Sequence, residues 1–289
     1  MKRILITGAN SYIGTSLEKW LEKYPDKYFV DTVSTRNYVW KQKNFSEFDS
    51  VFHVAGIAHV SSSPKMESIY YKANRDLVVE VANKAKLDGV KQFIFMSSII
   101  VYGDSGSVKG VIDENTVPKP SNFYGNSKLQ AEKGIVSLES NDFKIVILRP
   151  PMIYGKGSKG NYPKLSVAAQ KLPIFPDIDN ERSMLHIDNL CEFIKLMIDN
   201  EESGLFFPQN TEFVKTSEMV KLIAESHGKK IRLTKVFNPL LRLMYGINVV
   251  NKVFGNLVYE KSMSDYNVNY RIRDFRESIE MAELESFQR

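Results

Sequence analysis

The stretch Arg3-Ile-Leu-Ile-Thr-Gly-Ala-Asn-Ser-Tyr-Ile-Gly14 decides how this chain is read. Arg3–Thr7 has the apolar run of a short buried strand. Ile13, Leu17, Trp20 and Leu21 recur at helical spacing and predict a helix over Tyr12–Tyr24. Between the two, Gly8 permits a tight turn and Gly14 lets the helix pack closely on the strand. The helix N-terminus then offers unpaired N–H groups and the positive end of its dipole, which suits a pyrophosphate. Purely structural turns carry glycines too, but one set between a strand and an amphipathic helix is far more specific than a lone pattern. Ser11 stands where the usual middle glycine would be, so its Cβ holds the backbone slightly farther from the phosphates while its hydroxyl offers a hydrogen bond. Gly8, Asn10, Ser11, Tyr12, Ile13 and Gly14 are thus the candidate phosphate-binding positions.

Outward from this turn the pattern repeats. Phe29–Val33, Ser50–Ala55, Lys91–Met96 and Lys144–Leu148 read as strands, and Ile69–Leu87 and Tyr124–Leu138 as helices. Such alternation, with Val/Ile/Phe-rich strands, predicts an α/β fold: a doubly wound parallel sheet covered on both faces, with ligands beyond the strands' carboxyl ends. After Tyr154 the chain turns to Gly/Pro-rich loops, with helices expected at Asn189–Asp199, Thr216–Ser226 and Pro239–Val253. The expected organisation is a nucleotide-binding domain over residues 1–155 and a smaller lobe over 156–289, partly interleaved with the first.

At 289 residues, 43% hydrophobic and 25% charged, the composition is that of an ordinary globular protein. The single cysteine, Cys191, precludes an internal disulfide. The N-terminal residues lack the apolar run of a signal peptide, and no stretch is long and apolar enough to span a bilayer. The nearest, Val236–Tyr259, is broken by Pro239, Arg242, Asn248, Asn251 and Lys252. A cytoplasmic location is the expectation. The net charge of +5 favours anionic ligands, but the lysines are scattered, so nucleic-acid binding is not expected; no metal site is expected either.

The end of the second strand selects between dinucleotides, because a carboxylate there binds the adenosine ribose of NAD. That position falls near Ser34, followed by Thr35 and Arg36, and a guanidinium suits a 2′-phosphate. NADP is therefore favoured over NAD, with Asp31, inside the strand pattern, as the competing carboxylate.

Tyr124-Gly-Asn-Ser-Lys128 sets a phenol and an ammonium four residues apart on one helical face. A neighbouring positive charge stabilises the phenolate and brings proton exchange toward neutral pH. With 14 tyrosines, roughly one such spacing arises by chance, so context must carry the reading. It does: Ser97-Ser98 ends the strand Lys91–Met96, where a hydroxyl can reach the oxygen that Tyr124 would bind.

Taken in order, TGANSYIG, HVAGIAHV, YYKANRD, FIFMSSIIVYG, DENTVPKPSNFYGNSKLQAE, ILRPPMIYGKG and RSMLHIDNL resemble the extended short-chain dehydrogenase/reductase family, the sugar-nucleotide epimerases, reductases and dehydratases. The resemblance runs from Met1 to about Ile198. It implies a Rossmann-type domain with Ser98, Tyr124 and Lys128 as the catalytic set, Lys128 also holding the nicotinamide ribose. Ala55, Gly56, Asn74 and Pro150 would join Ser34 and Arg36 around the cofactor, NADP or NAD. Arg182 would grip the substrate diphosphate, with Asn161, Ser98 and Tyr124 as further substrate contacts.

The resemblance also constrains the reaction. Family dehydratases follow the catalytic Ser/Thr with Asp-Glu, whereas this chain has Ile99-Ile100, which cannot shuttle protons. Hydride transfer at a sugar carbon without elimination is expected. The Arg149–Asn161 stretch and Arg36 favour reduction of a UDP-4-keto-6-deoxy-hexosamine, with a UDP-hexose or UDP-N-acetylhexosamine 4-epimerase using bound NAD as the alternative. A non-enzymatic NADP(H)-sensing protein is a third reading, but such proteins lose the tyrosine or lysine that this chain keeps. A homodimer, paired through Ile69–Leu87 and Tyr124–Leu138, is expected by resemblance. The apolar Val236–Tyr259 segment is read as buried against the main domain or a dimer partner, with peripheral membrane contact as the other option.

Overall fold

The computed structural model describes residues 1–36, 38–58, 63–103, 110–244 and 248–284. It divides into two compact units that interleave along the chain. The first comprises Met1–Gly103, Pro118–Pro150 and Leu190–Pro208, and the second Asp104–Val117, Pro151–Asn189 and Gln209–Arg289.

The first unit is built on a six-stranded sheet. Strands β1 (Lys2–Thr7), β2 (Tyr28–Val33), β3 (Ser50–His53) and β4 (Gln92–Met96) are joined by Lys144–Leu148 and Gly204–Phe206. The spatial order is Gly204–Phe206, Lys144–Leu148, β4, β3, β1, β2, and every pairing is parallel. Ile4, Leu5, Ile6, Val51, Phe52, Phe93, Ile94 and Phe95 are fully buried, as strands covered on both faces require. Register aligns Thr7 with Val33 on one side and His53 on the other, so β1, β2 and β3 end at the same level. The strand order reverses between β1 and β3, which is where a crevice for a ligand opens in such sheets.

Helices α1 (Tyr12–Leu21), α2 (Glu67–Tyr71), α3 (Leu77–Leu87) and α4 (Phe123–Val136) belong to the same unit. Val78, Val81, Ala82 and Ala85 of α3, with Ala131 and Ile135 of α4, share one core with Leu5, Val51, Phe93, Phe95, Ile145 and Ile147. Truncating a residue such as Phe93 to alanine there costs about 3–5 kcal/mol. Between α2 and α3 the helix widens into a π-helical turn, Lys72–Asp76. That irregularity aims Asn74 inward.

The second unit uses short parallel strand pairs: Met152–Tyr154 with Met184–His186, Ile174–Pro176 with Arg232–Thr234, and Val111–Ile112 with Val258–Tyr259. Its core includes Tyr154, Phe175, Met184, Val220, Ile223 and Ile279. Buried Glu283 accepts from the hydroxyls of Tyr162 at 2.7 Å and Ser166 at 2.8 Å, and lies 2.6 Å from His227 Nε2. Strands of two or three residues are too short to show a period, so the sequence does not reveal them. The single helix expected over Pro239–Val253 is instead two, Asn238–Leu243 and Asn248–Phe254.

Candidate active site

The turn after β1 is constrained from three sides. Gly8 adopts φ +122°, and a Cβ on it would sit 2.8 Å from the backbone nitrogen of Ala55. The Gly8 and Ala9 N–H groups donate to the Val33 carbonyl at 3.0 and 3.3 Å, tying the turn to the end of β2. Asn10 takes the left-handed conformation, φ 64°, which asparagine tolerates. Ser11 caps α1 by accepting from the Gly14 N–H at 3.1 Å, so its oxygen is engaged while its proton can still be donated. A Cβ on Gly14 would meet Ser11 Oγ at 2.6 Å and Val54 at 3.3 Å. Tyr12 and Ile13 form the first turn of α1, so all six candidate positions lie on one strand–turn–helix junction.

Ser34 follows directly on β2, beside that turn, and its hydroxyl accepts from the Arg36 N–H at 3.3 Å. Arg36 is exposed. Asp31, the competing carboxylate, is held inside the strand by Lys43 at 2.7 Å. No acidic residue therefore closes β2.

The loop after β3 carries Ala55 and Gly56 and meets the π-helical turn. Asn74, fully buried, accepts from the Ile57 N–H at 2.7 Å and donates to the Ile57 carbonyl at 3.0 Å and to Ser127 Oγ at 3.2 Å. Ser127 in turn donates to the Tyr124 carbonyl at 2.9 Å. A chain of hydrogen bonds thus links the Gly56 loop to α4. A Cβ on Gly56 would lie 2.7 Å from Asn74 Oδ1 and 3.5 Å from Lys128 Nζ, so glycine is what lets this loop pack against Asn74 near the lysine.

Tyr124 and Lys128 lie on α4, and Ser98 caps the short turn Ile99–Tyr102 at the end of β4. The Ser98 hydroxyl faces the Tyr124 phenol and acts to lower its pKa. Gly125 makes that approach feasible, since a Cβ there would stand 2.7 Å from the Ile100 carbonyl oxygen. Lys128, 5% exposed, donates to the Met96 carbonyl at 2.7 Å. Pro150 stands beside the same turn, its carbonyl accepting from the Ile99 N–H at 2.9 Å.

Electrostatics correct one expectation. Lys128 does not lower Tyr124 in this arrangement. Burial pushes the phenol up to about 12, with Ser98 acting to lower it and Tyr70 to raise it, while the lysine's ammonium donates to the Met96 carbonyl. Burial pulls Lys128 itself down to about 8, while Glu132 acts to raise it.

Residues behind the site escaped the sequence reading. Glu132 accepts from Ser97 Oγ and is bound by Arg149 through two nitrogens, while Arg149 Nη1 donates to the Tyr102 hydroxyl at 2.7 Å. The only signal was Glu132 at i+4 from Lys128, a spacing that also fits a surface ion pair. His53, buried at the end of β3, has Nδ1 2.7 Å from Thr7 Oγ1, and burial with the nearby Lys128 charge pulls it down to about 3, hence neutral. Apolar strand residues surround it in sequence, and nothing there marked it.

Asn161 and Arg182 belong to the second unit. Asn161 precedes helix Tyr162–Lys171, and its carbonyl accepts from the Leu165 N–H at 3.1 Å. Arg182 Nη1 donates to the carbonyls of Gly255 at 2.9 Å and Asn251 at 3.4 Å, closing the C-terminal end of helix Asn248–Phe254, where a cation suits the dipole. Among the described residues no group of His, Cys, Asp and Glu could hold a metal, and no helix is long and apolar enough to cross a membrane.

The close-set glycine turn and the α1 N-terminus, with the Gly56 loop packed near Lys128, fit a dinucleotide. Comparison agrees. Residues 4–206 match the NAD dependent epimerase/dehydratase family. The chain is 32% identical over 248 residues to a UDP-glucose 4-epimerase of Vibrio cholerae, covering 77% of this chain and 75% of that protein. It is 28% identical over 272 residues to the N-acetyl-alpha-D-glucosaminyl-diphospho-ditrans,octacis-undecaprenol 4-epimerase of Escherichia coli O157:H7, covering 87% and 81%. The fold is that of a dTDP-4-dehydrorhamnose reductase of Clostridium acetobutylicum, with a TM-score of 0.77 at 18% identity over 99% and 100% of the two chains.

Proposed function

Because the chain belongs to the NAD dependent epimerase/dehydratase family, we propose that it is a 4-epimerase acting on a diphosphate-linked hexose or N-acetylhexosamine. The observation that carries this reading is the Ser98 hydroxyl facing the Tyr124 phenol, with Lys128 one turn on and aliphatic Ile99 and Ile100 after the serine. Such a site handles one proton at one oxygen and has no second acid–base pair for eliminating water. The proposal therefore does not include dehydration.

A bound dinucleotide supplies the hydride acceptor and donor. The chain's own residues do the rest. Ser98 and Tyr124 bind the C4 oxygen together. As a neutral phenol, Tyr124 is in the state that donates a proton to a C4 carbonyl oxygen. Taking a proton from the C4 hydroxyl requires the phenolate, which the Lys128 ammonium favours once directed toward it. In this proposal Arg182 holds the diphosphate, as a guanidinium fork suits, and Asn161 contacts the sugar. A homodimer belongs to the same proposal, tested by light scattering against the 33.1 kDa chain mass.

Arg36, with no carboxylate closing β2, favours a second reading: NADPH-dependent reduction of a UDP-4-keto-6-deoxy-hexosamine. Purifying the protein without added cofactor, denaturing it and identifying released dinucleotide by mass spectrometry separates the two. Stoichiometric NAD, with turnover of UDP-glucose or UDP-N-acetylglucosamine and no added cofactor, supports the epimerase. An empty site, with NADPH-dependent reduction of a 4-keto sugar nucleotide, supports the reductase. Retention of the cellular role by Tyr124→Phe would instead replace both with a dinucleotide-sensing protein.

A further inference from the structure

Between Glu225 and Glu260 the chain has no acidic residue and six basic ones, Lys229, Lys230, Arg232, Lys235, Arg242 and Lys252. In the second unit this stretch passes through strand Arg232–Thr234 into helix Asn238–Leu243. Apolar side chains in this helix and in the turn just before it are exposed. Val236 is 79% exposed, Phe237 44%, Leu240 60% and Leu243 86%. Leu240 and Leu243, three apart, share one side of the helix, and Val236 and Phe237 are exposed in the turn just before it.

The stretch is also fastened from behind. Asn238 Nδ2 donates to the Asp177 carbonyl at 2.8 Å, and Ile231 and Leu233 pack against the unit's core together with Val253 and Phe254. An outward apolar face on an anchored segment is therefore the arrangement itself and not a frayed end. Lys229, Lys230, Arg232 and Lys235 are exposed beside it. The acidic groups nearby, Asp177 and Asp179, both pair with Lys215, at 3.2 and 3.5 Å. Lys235 also acts on Asp177, and with Lys229, Lys230, Arg232, Lys235 and Lys215 against these two carboxylates the surface stays net positive. A second copy docked symmetrically would set these lysines against one another.

We propose that residues 229–243 form a docking surface for an anionic phospholipid bilayer, the apolar side chains entering the headgroup region and the lysines meeting lipid phosphates. The proposal does not depend on which reaction the Ser98–Tyr124–Lys128 site performs, and none of these side chains is assigned to that site.

The test is co-sedimentation of the full chain with vesicles of phosphatidylglycerol and phosphatidylcholine, against phosphatidylcholine alone, at about 0.1 M ionic strength. Binding is expected to the anionic vesicles only, and to fall as salt rises. Lys230→Gln/Lys235→Gln should lower it about twenty-five-fold, at roughly five-fold per charge. Leu240→Ser/Leu243→Ser should lower it about ten-fold or more with turnover on a soluble substrate unchanged. If the leucine variant fails to fold, the lysine variant decides alone. Absence of the wild-type chain from the anionic pellet, or equal binding by the lysine variant, overturns the proposal. So does an oligomer that dissociates in the leucine variant without vesicle binding by the parent, which assigns the surface to a second copy.

Discussion

Glu132 holds Arg149 with both carboxylate oxygens, Oε2 2.6 Å from Nη2 and Oε1 3.1 Å from Nε, four residues beyond Lys128 on α4. The side chains are only 4% and 8% exposed. Through Ser97 and Tyr102 the pair grips both ends of the loop that carries Ser98. Its work is to clamp that loop to the helix bearing Tyr124, so that a hydroxyl from a strand end and a phenol from a helix meet.

Glu132→Gln should leave Arg149 buried without a counter-charge and destabilise the fold by about 3–5 kcal/mol. Thermal melting checks this. A variant melting within about 1 kcal/mol of the parent would show that the pair contributes no more than an exposed one.

Lys128→Met should raise stability at pH 7 while abolishing turnover. Burial lowers the lysine from 10.5 to about 8, so the folded state holds its charge at a cost of about 3 kcal/mol at neutral pH. Between pH 8 and 10.5 the unfolded chain binds more protons than the folded one, so the parent gains stability as pH rises there. The melting advantage of the variant should therefore shrink across that window. An advantage that is flat with pH would show that Lys128 is not titrating as a buried group.

Gly125→Ala tests the approach of α4 to the Ser98 turn. The added methyl would stand 2.7 Å from the Ile100 carbonyl and 2.9 Å from Pro120 Cβ, so the helix must move. A shift of order 1 Å at a reacting centre costs roughly a hundred-fold in rate. Steady-state kinetics should show kcat/KM falling by about that factor, with dinucleotide affinity, measured by calorimetry, nearly unchanged.

Arg36→Ala should weaken NADPH by about ten-fold, the loss of one charge-assisted contact, and leave NADH affinity alone. Fluorescence titration with both cofactors decides it. Equal weakening of the two would mean that Arg36 does not read the 2′-phosphate.

Much of this was present in the order of residues. The strands carry unbroken apolar runs because both sheet faces are covered, and the phosphate turn carries Gly8 and Gly14 because no Cβ fits at either point. Tyr124 and Lys128 show their relation in the sequence because both lie on one helix, where four residues make one face. Such relations are local, and local geometry is what spacing encodes.

What tertiary structure decided is everything that joins distant segments. The π-helical turn aims Asn74 at Ile57 and Ser127, His53 is buried and neutral, and Glu132 finds Arg149 rather than solvent. The direction of the Tyr124 and Lys128 shifts belongs here too. The sequence promised a lysine that lowers its tyrosine, but burial dominates both groups and Met96 takes the ammonium. A charge's effect depends on what surrounds it and where it points, and neither is set by the number of residues between two side chains.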